Sequence, residues 1–146
     1  MLESAFDQLN IVCGDLDATV SFYRRLGLPM GEPARTEDGA PFRASSRGEA
    51  GAWLEAHSPA FARFWNKGWL GEADLNGRVL IVVRVASRPE VDRLYGDVTA
   101  AGHRSLQPPL DAFWGARFAI VEDPNRLAVG LMSPADDAHR APLDWP

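Results

Sequence analysis

Cysteine is nearly absent from this 146-residue sequence: Cys13 stands alone, so no internal disulfide can form. A reducing, cytoplasmic setting is the corresponding expectation. Cys13 closes an apolar segment with no matched base in view, which reads as buried filler rather than a nucleophile. Histidine is scarce too: His57, His103 and His139 lie far apart, and surface or structural roles are expected for the last two. Lys and Arg form no basic block and the net charge is -5. That balance argues against nucleic acid as a partner, since phosphate binding needs clustered cations. No apolar run is long enough to span a bilayer, so no membrane partner is expected, and Met1–Asn10 reads as a strand rather than a signal peptide. What is present is an ordinary globular balance, 46% hydrophobic and 24% charged, enough for one domain or two small intertwined modules.

The chain repeats itself. Leu54-Glu55-Ala56-His57-Ser58-Pro59 and Val129-Gly130-Leu131-Met132-Ser133-Pro134 end alike, 75 residues apart from Ser58 to Ser133. Each closes a parallel pattern. An alternating apolar segment, Phe6–Cys13, leads into Asp15-Leu16-Asp17, and a second, Val79–Val85, leads into Ser87-Arg88-Pro89-Glu90. Leu16, Val20, Tyr23 and Leu26 then follow a helical spacing that Asp17 can cap and Gly27 can end. Val91, Leu94, Tyr95 and Val98 form the second stripe, with a Ser87–Glu90 capping box, Pro89 in the first turn and Gly102 at the close. Turn residues at Gly31–Pro33, Glu37-Asp38-Gly39, Arg47-Gly48, Pro108-Pro109 and Asp123-Pro124-Asn125 divide the remainder of each module into three strands. The fold class is therefore α+β: two βαβββ modules forming a curved mixed sheet with a concave ligand cup. The first module spans 1–60, an aromatic connector 61–76, the second module 77–134 and a loosely ordered tail 135–146.

These residues resemble a known superfamily. Gln8-Leu9-Asn10-Ile11-Val12 with Asp15-Leu16-Asp17 and Ser21-Phe22-Tyr23-Arg24-Arg25-Leu26-Gly27-Leu28 is similar to the opening of vicinal-oxygen-chelate proteins. That superfamily includes glyoxalase I, extradiol dioxygenases, fosfomycin-resistance and bleomycin-binding proteins. Trp114-Gly115-Ala116-Arg117-Phe118-Ala119 and Glu122-Asp123-Pro124-Asn125 resemble its second-module ending, so the likeness runs from about Phe6 to Pro134. The resemblance is specific for fold and says little about the reaction.

In metal-dependent relatives the first and last strands of each module supply the ligands of a divalent ion. Carried onto this chain, the resemblance puts those positions at Gln8, Glu55, Val79 and Gly130, the first-strand pair taken at the 71-residue offset that relates Val20 to Val91. Only Glu55 is a strong ligand; Val79 and Gly130 offer no donor, and a one-residue slip to Arg78, Leu80, Val129 or Leu131 repairs nothing. His57, two residues from Glu55, could replace one ligand and still leaves the second module empty. A catalytic zinc needs about three protein ligands, so the expectation is no metal and no cofactor.

Period-two alternation assigns the cup. With Leu9 and Ile11 toward the first helix, Gln8, Asn10 and Val12 face the cup, as do Trp53, Glu55 and His57. In the second module Leu80 and Val82 are expected on the helix side, leaving Val79, Ile81, Val83, Ala128, Gly130 and Met132 for the cavity. One polar, aromatic wall and one aliphatic wall suit a partly hydrophobic ligand with a few hydrogen-bonding groups. Glu55 has several readings: paired with His57, with Arg117 or with a cationic ligand, wet at the rim, or buried with a raised pKa as a general base beside Gln8. Phe61, Phe64 and Trp65 share a helical face after Ser58-Pro59, with Trp69 beyond, and read as a lid or, more simply, as packing against the body or a partner subunit. Trp114 and Arg117 stand where the chain can reach the cup mouth; Arg117 either holds a ligand anion or pairs with Asp111 or Glu122.

The leading expectation is a metal-free protein that binds a small molecule, resembling the drug-sequestering members. The alternative is an enzyme of the same superfamily, a lyase, isomerase, epimerase or dioxygenase, using Glu55 with or without a divalent metal. A homodimer is expected by resemblance, and a dimerisation or regulatory module is the third option.

Overall fold

The computed structural model describes residues 8–47, 52–66 and 79–142. The expected strand start at Phe6, the turn at Gly48, Trp69 with the connector beyond Asn66, and the last four tail residues lie outside the described residues. The chain divides into two compact units, 1–73 and 74–146.

In the first unit the order is β1 (Gln8–Val12), α1 (Leu16–Arg25), β2 (Ala34–Arg35), β3 (Pro41–Arg47), β4 (Trp53–His57) and α2 (Pro59–Trp65). Strand order is β1-β4-β3-β2, with β1 parallel to β4 and the other pairs antiparallel. The parallel pair requires a crossover, and α1 supplies it. Asp15 caps α1, its carboxylate accepting from the Ala18 N–H at 2.9 Å, and Gly27 ends it at φ +87°, a conformation that favours glycine. Asp15, not Asp17, is thus the cap. The helix lays Leu16, Val20 and Tyr23 over β3 and β4, where Ala44, Leu54 and Ala56 are buried, as is Ile11 of β1.

The second unit repeats the plan with β5 (Leu80–Arg84), α3 (Arg88–Ala100), β6 (Ser105–Asp111), β7 (Arg117–Glu122) and β8 (Ala128–Met132), in the order β5-β8-β7-β6. Ser87 caps α3, Pro89 sits in its first turn and Gly102 ends it at φ +96°. Val91, Leu94 and Val98 are buried with Val83, Ala119, Val121, Val129 and Leu131. Each unit is therefore a βαβββ module, α+β, with its helix on one sheet face.

Three expectations change. Pro108-Pro109 is not a turn but lies inside β6, an edge strand whose register shifts between Gln107 and Leu110. An edge tolerates the missing N–H donors that a central strand would not. Second, the stretch read as a loose tail forms a short 3-10 turn, Asp137–His139, and is tied back: Asp136 N–H donates to the Gly115 carbonyl at 3.1 Å and Ala141 N–H to that of Phe113 at 3.0 Å. Third, the first strands of the modules align at 72 residues rather than 71, as the caps Asp15 and Ser87 do. Cys13 N–H bonds the His57 carbonyl just as Val85 N–H bonds that of Met132. That one-residue difference turns β5 over. Leu80 and Val82, 44% and 46% exposed, lie on the face away from α3, while Val83 is buried on the helix side. Val79, Ile81 and Val83 therefore do not line the open face.

Candidate functional site

The open face of the first module gathers its chemistry from three adjacent strands. Across β1 and β4, Gln8 pairs with Trp53, Asn10 with Glu55 and Val12 with His57; across β3 and β4, Arg43 opposes His57 and Ser45 opposes Glu55. Residues opposite one another share a face, so this register fixes the cluster. The pocket over it has a volume of about 310 Å³ and is lined by Gln8, Asn10, Arg43, Glu55, His57, Phe61 and Trp65.

Glu55 is 3% exposed and fully engaged. Arg43 Nε donates to Oε2 at 3.0 Å and Nη2 to Oε1 at 3.3 Å, while His57 Nε2 lies 3.1 Å from Oε2. Burial pushes the Glu55 carboxyl upward, but hydrogen bonds from Arg43, Ser45 and His57 and the charge of Arg43 outweigh it and hold the group below the usual carboxylate range. The same pairing raises Arg43. A base with a raised pKa is thus not what this Glu55 is; its proton affinity is spent on its neighbours. Gln8, read as its hydrogen-bond donor, instead gives its amide N–H to Asn10 Oδ1 at 2.8 Å.

The aromatic cover comes from α2, started by Ser58, whose hydroxyl accepts from the Phe61 N–H at 3.2 Å, with Pro59 in the first turn. Phe61 and Trp65, one helical turn apart, meet the His57 ring edge-on at 5.0 and 5.4 Å between centroids. Phe64, expected on the same face, points away and is 75% exposed. His57 Nδ1 is buried and has no hydrogen-bond partner among the described residues.

Gln8, Asn10, Glu55 and His57 are thus brought together, with Trp53 beside them on the same strand face. Arg43 and Ser45 are absent from the expected set, because the expected cup takes its residues from the first and last strands alone; the alternation of Arg43, Ser45 and Arg47 against Phe42, Ala44 and Ser46 is their trace in the sequence. The remaining expected positions belong to the second unit. Gly130 and Met132 share the open face of its sheet with Leu80 and Val82, since Val82 pairs with Gly130 and Arg84 with Met132. Arg117 takes the ion-pair role: it reaches Asp92 at 2.9 Å and Asp111 at 3.2 Å, not Glu122, which lies 3.7 Å from Arg104. Trp114 packs edge-on against Phe118 at 5.4 Å.

The family's metal can be tested against these donors. Both Glu55 oxygens accept from cationic or imidazole neighbours, Gln8 is turned to Asn10, and the equivalent positions of the second module, Leu80 and Gly130, carry no donor atom. Among the described residues no group of three or more His, Cys, Asp and Glu side chains could hold an ion. The donor set does not fit a divalent metal.

Two four-stranded βαβββ modules, each with a parallel first and last strand and one crossover helix, define the glyoxalase-type class of fold. The model of the Glyoxalase/Bleomycin resistance protein/Dioxygenase superfamily matches residues 5–131, and the chain belongs to that superfamily. Solved structures agree in fold. A glyoxalase/bleomycin resistance protein/dioxygenase from Nocardioides is 23% identical, with a TM-score of 0.68 over 99% of this chain and 92% of that one. A family enzyme from Burkholderia phytofirmans is 18% identical, with a TM-score of 0.71 over 87% and 96%. A lactoylglutathione lyase from Agrobacterium tumefaciens is 17% identical, with a TM-score of 0.61 over 89% and 93%. No curated protein matches the sequence significantly.

Proposed function

We propose that this protein binds a small, partly apolar molecule without a metal, on the open face of its first module beneath Phe61 and Trp65. The observation that carries the reading is the state of Glu55: the strongest metal ligand of the carried-over set is buried with both oxygens accepting hydrogen bonds. A carboxylate so engaged serves to position Arg43 and His57 rather than to ligate or to take a proton. The aromatic cover supplies apolar area, and Asn10 and Arg43 supply orienting donors, the composition of a ligand pocket.

Elemental analysis of protein purified without added metal, followed by thermal melting with added Zn²⁺ or Mn²⁺, tests the first half. No stoichiometric ion and no rise in Tm are expected. One ion per chain retained through dialysis sinks the reading. Trp65 then reports occupancy of the pocket by fluorescence in a screen of small ligands.

A second reading, an enzyme, is favoured by one observation: His57 is oriented by a carboxylate and keeps an unpartnered Nδ1 among the described residues. In that reading His57, not Glu55, moves the proton, and turnover is lost in His57→Gln. We also propose a homodimer, favoured by the exposed Leu80 and Val82; a monomer mass by light scattering would remove it. No helix among the described residues is long and apolar enough to cross a membrane.

A further inference from the structure

We infer that the first-module pocket selects an anion: its ligand is a planar, aromatic carboxylate that closes on the outer edge of Arg43. The inference rests on the binding function proposed above and names the ligand class for the same site.

Of the seven lining residues, two carry fixed charge, and they are not equally accessible. Glu55 is 3% exposed beneath its partners, whereas the Arg43 side chain is 49% exposed. A ligand entering the pocket therefore meets the guanidinium before the carboxylate. Arg43 uses Nε and one Nη2 proton on Glu55. A guanidinium has five N–H donors, so both Nη1 protons and the second Nη2 proton remain. One Nη1 proton and the second Nη2 proton point the same way and form a planar edge that matches a carboxylate bidentately.

The neighbouring amides add direction. Asn10 Oδ1 accepts from Gln8, which leaves Asn10 Nδ2, with two more donors, at an exposed position lining the pocket. The carboxylate of this wall is already compensated: both Glu55 oxygens receive hydrogen bonds from Arg43 or His57, and Asn10 Oδ1 receives one from Gln8. A cationic ligand would find the pocket's carboxylate buried and already paired, and would face a guanidinium. The ring specification comes from Phe61 and Trp65, fixed edge-on to His57, which offer aromatic surface to a planar body. The volume, about 310 Å³, lies at the small end of the range for ligand sites and suits one or two rings.

The test uses the full chain and three probes of one shape: 1-naphthoate, 1-naphthamide and 1-naphthylmethylamine, titrated by NMR chemical-shift change. Naphthoate is expected to bind at least about tenfold more tightly than the amide, with the amine weakest, because the charge-assisted edge recognises only the anion. Asn10→Ala, an exposed position that leaves the Arg43–Glu55 pair intact, should weaken naphthoate several-fold and the amine not at all. Amide or amine binding as tightly as naphthoate overturns the anion inference and leaves the binding function standing. Failure of all three probes to shift pocket resonances at millimolar concentration removes both.

Discussion

Replacing Arg43 with Met tests the energetic centre of the site. The substitution keeps an unbranched side chain over β4 and removes the charge that compensates Glu55. Losing one partner of a fully buried ion pair costs roughly 3–5 kcal/mol, whereas an exposed pair contributes about 0–1 kcal/mol. Glu55 is 3% exposed, but the Arg43 side chain is 49% exposed and screened by water. An intermediate loss of about 2 kcal/mol at pH 7 is expected. With a urea slope of about 2 kcal/mol/M, the unfolding midpoint should fall by about 1 M. The pH dependence supplies the sharper criterion. Folding lowers the Glu55 carboxyl from its usual 4.5, so in the parent protein its contribution is present above that value and lost as pH falls through the folded value. In Arg43→Met, burial is opposed only by Ser45 and His57, the carboxyl moves upward, and protonation relieves the penalty. The difference between the proteins should therefore shrink as pH falls below about 4.5. A loss under about 0.5 kcal/mol at pH 7, or one equal at pH 7 and pH 4, would refute a buried, compensated carboxylate.

The remaining predictions concern the frame around the site. Asp15→Ala removes the α1 cap and should cost about 1 kcal/mol in urea unfolding, with no change in ligand preference. Gly115→Ala forces a side chain at φ +97° and drives its Cβ into the Asp136 carbonyl oxygen, so the 136–141 strap must detach; hydrogen exchange at Asp136 and Ala141 should rise sharply. Gly130→Ala puts a Cβ 2.8 Å from Phe118 Cε2 and should cost about 1–3 kcal/mol by overpacking. That cost should shrink in a Phe118→Leu background, and a cost unchanged there would sink the contact.

The modules, helices and caps were legible in the sequence because each is written locally. Leu16, Val20 and Tyr23 repeat at helical spacing, glycines occupy the positive-φ positions after α1 and α3, and Ser87 and Pro89 announce a helix start. What misled was register. Phe6–Cys13 and Val79–Val85 are both apolar enough that either face of β5 could be the buried one, and aligning Val20 with Val91 chose the wrong one. The helices in fact superpose Thr19 on Val91 and Phe22 on Leu94, all four buried. A threonine in a core position concealed the match: its hydroxyl is satisfied by the Asp15 carbonyl at 2.7 Å, which makes it burial-compatible without being apolar.

The site itself was half legible for a deeper reason, visible once the register is corrected. Five polar residues of the first module's open face have an apolar or absent counterpart in the second: Gln8 answers to Leu80, Asn10 to Val82, Glu55 to Gly130, His57 to Met132 and Arg43 to Phe118. The exchanges are coupled in volume as well as polarity. Where Arg43 reaches back to hydrogen-bond Glu55, Phe118 swings its ring into the space above Gly130, which only a residue without a Cβ leaves open. One strand pair thus holds an ion pair and its counterpart holds an aromatic ring over a glycine. Each solution couples its residues: an acid at Gly130 meets the Phe118 ring, and losing Arg43 strands Glu55. Alternation along a single strand says which residues share a face, but the partner across the ladder decides whether an acid there is a ligand, a base or one half of a compensated pair. For Glu55 the deciding groups stand on β3: Ser45 directly opposite and Arg43 on the diagonal, neither visible from the alternation of β4 alone.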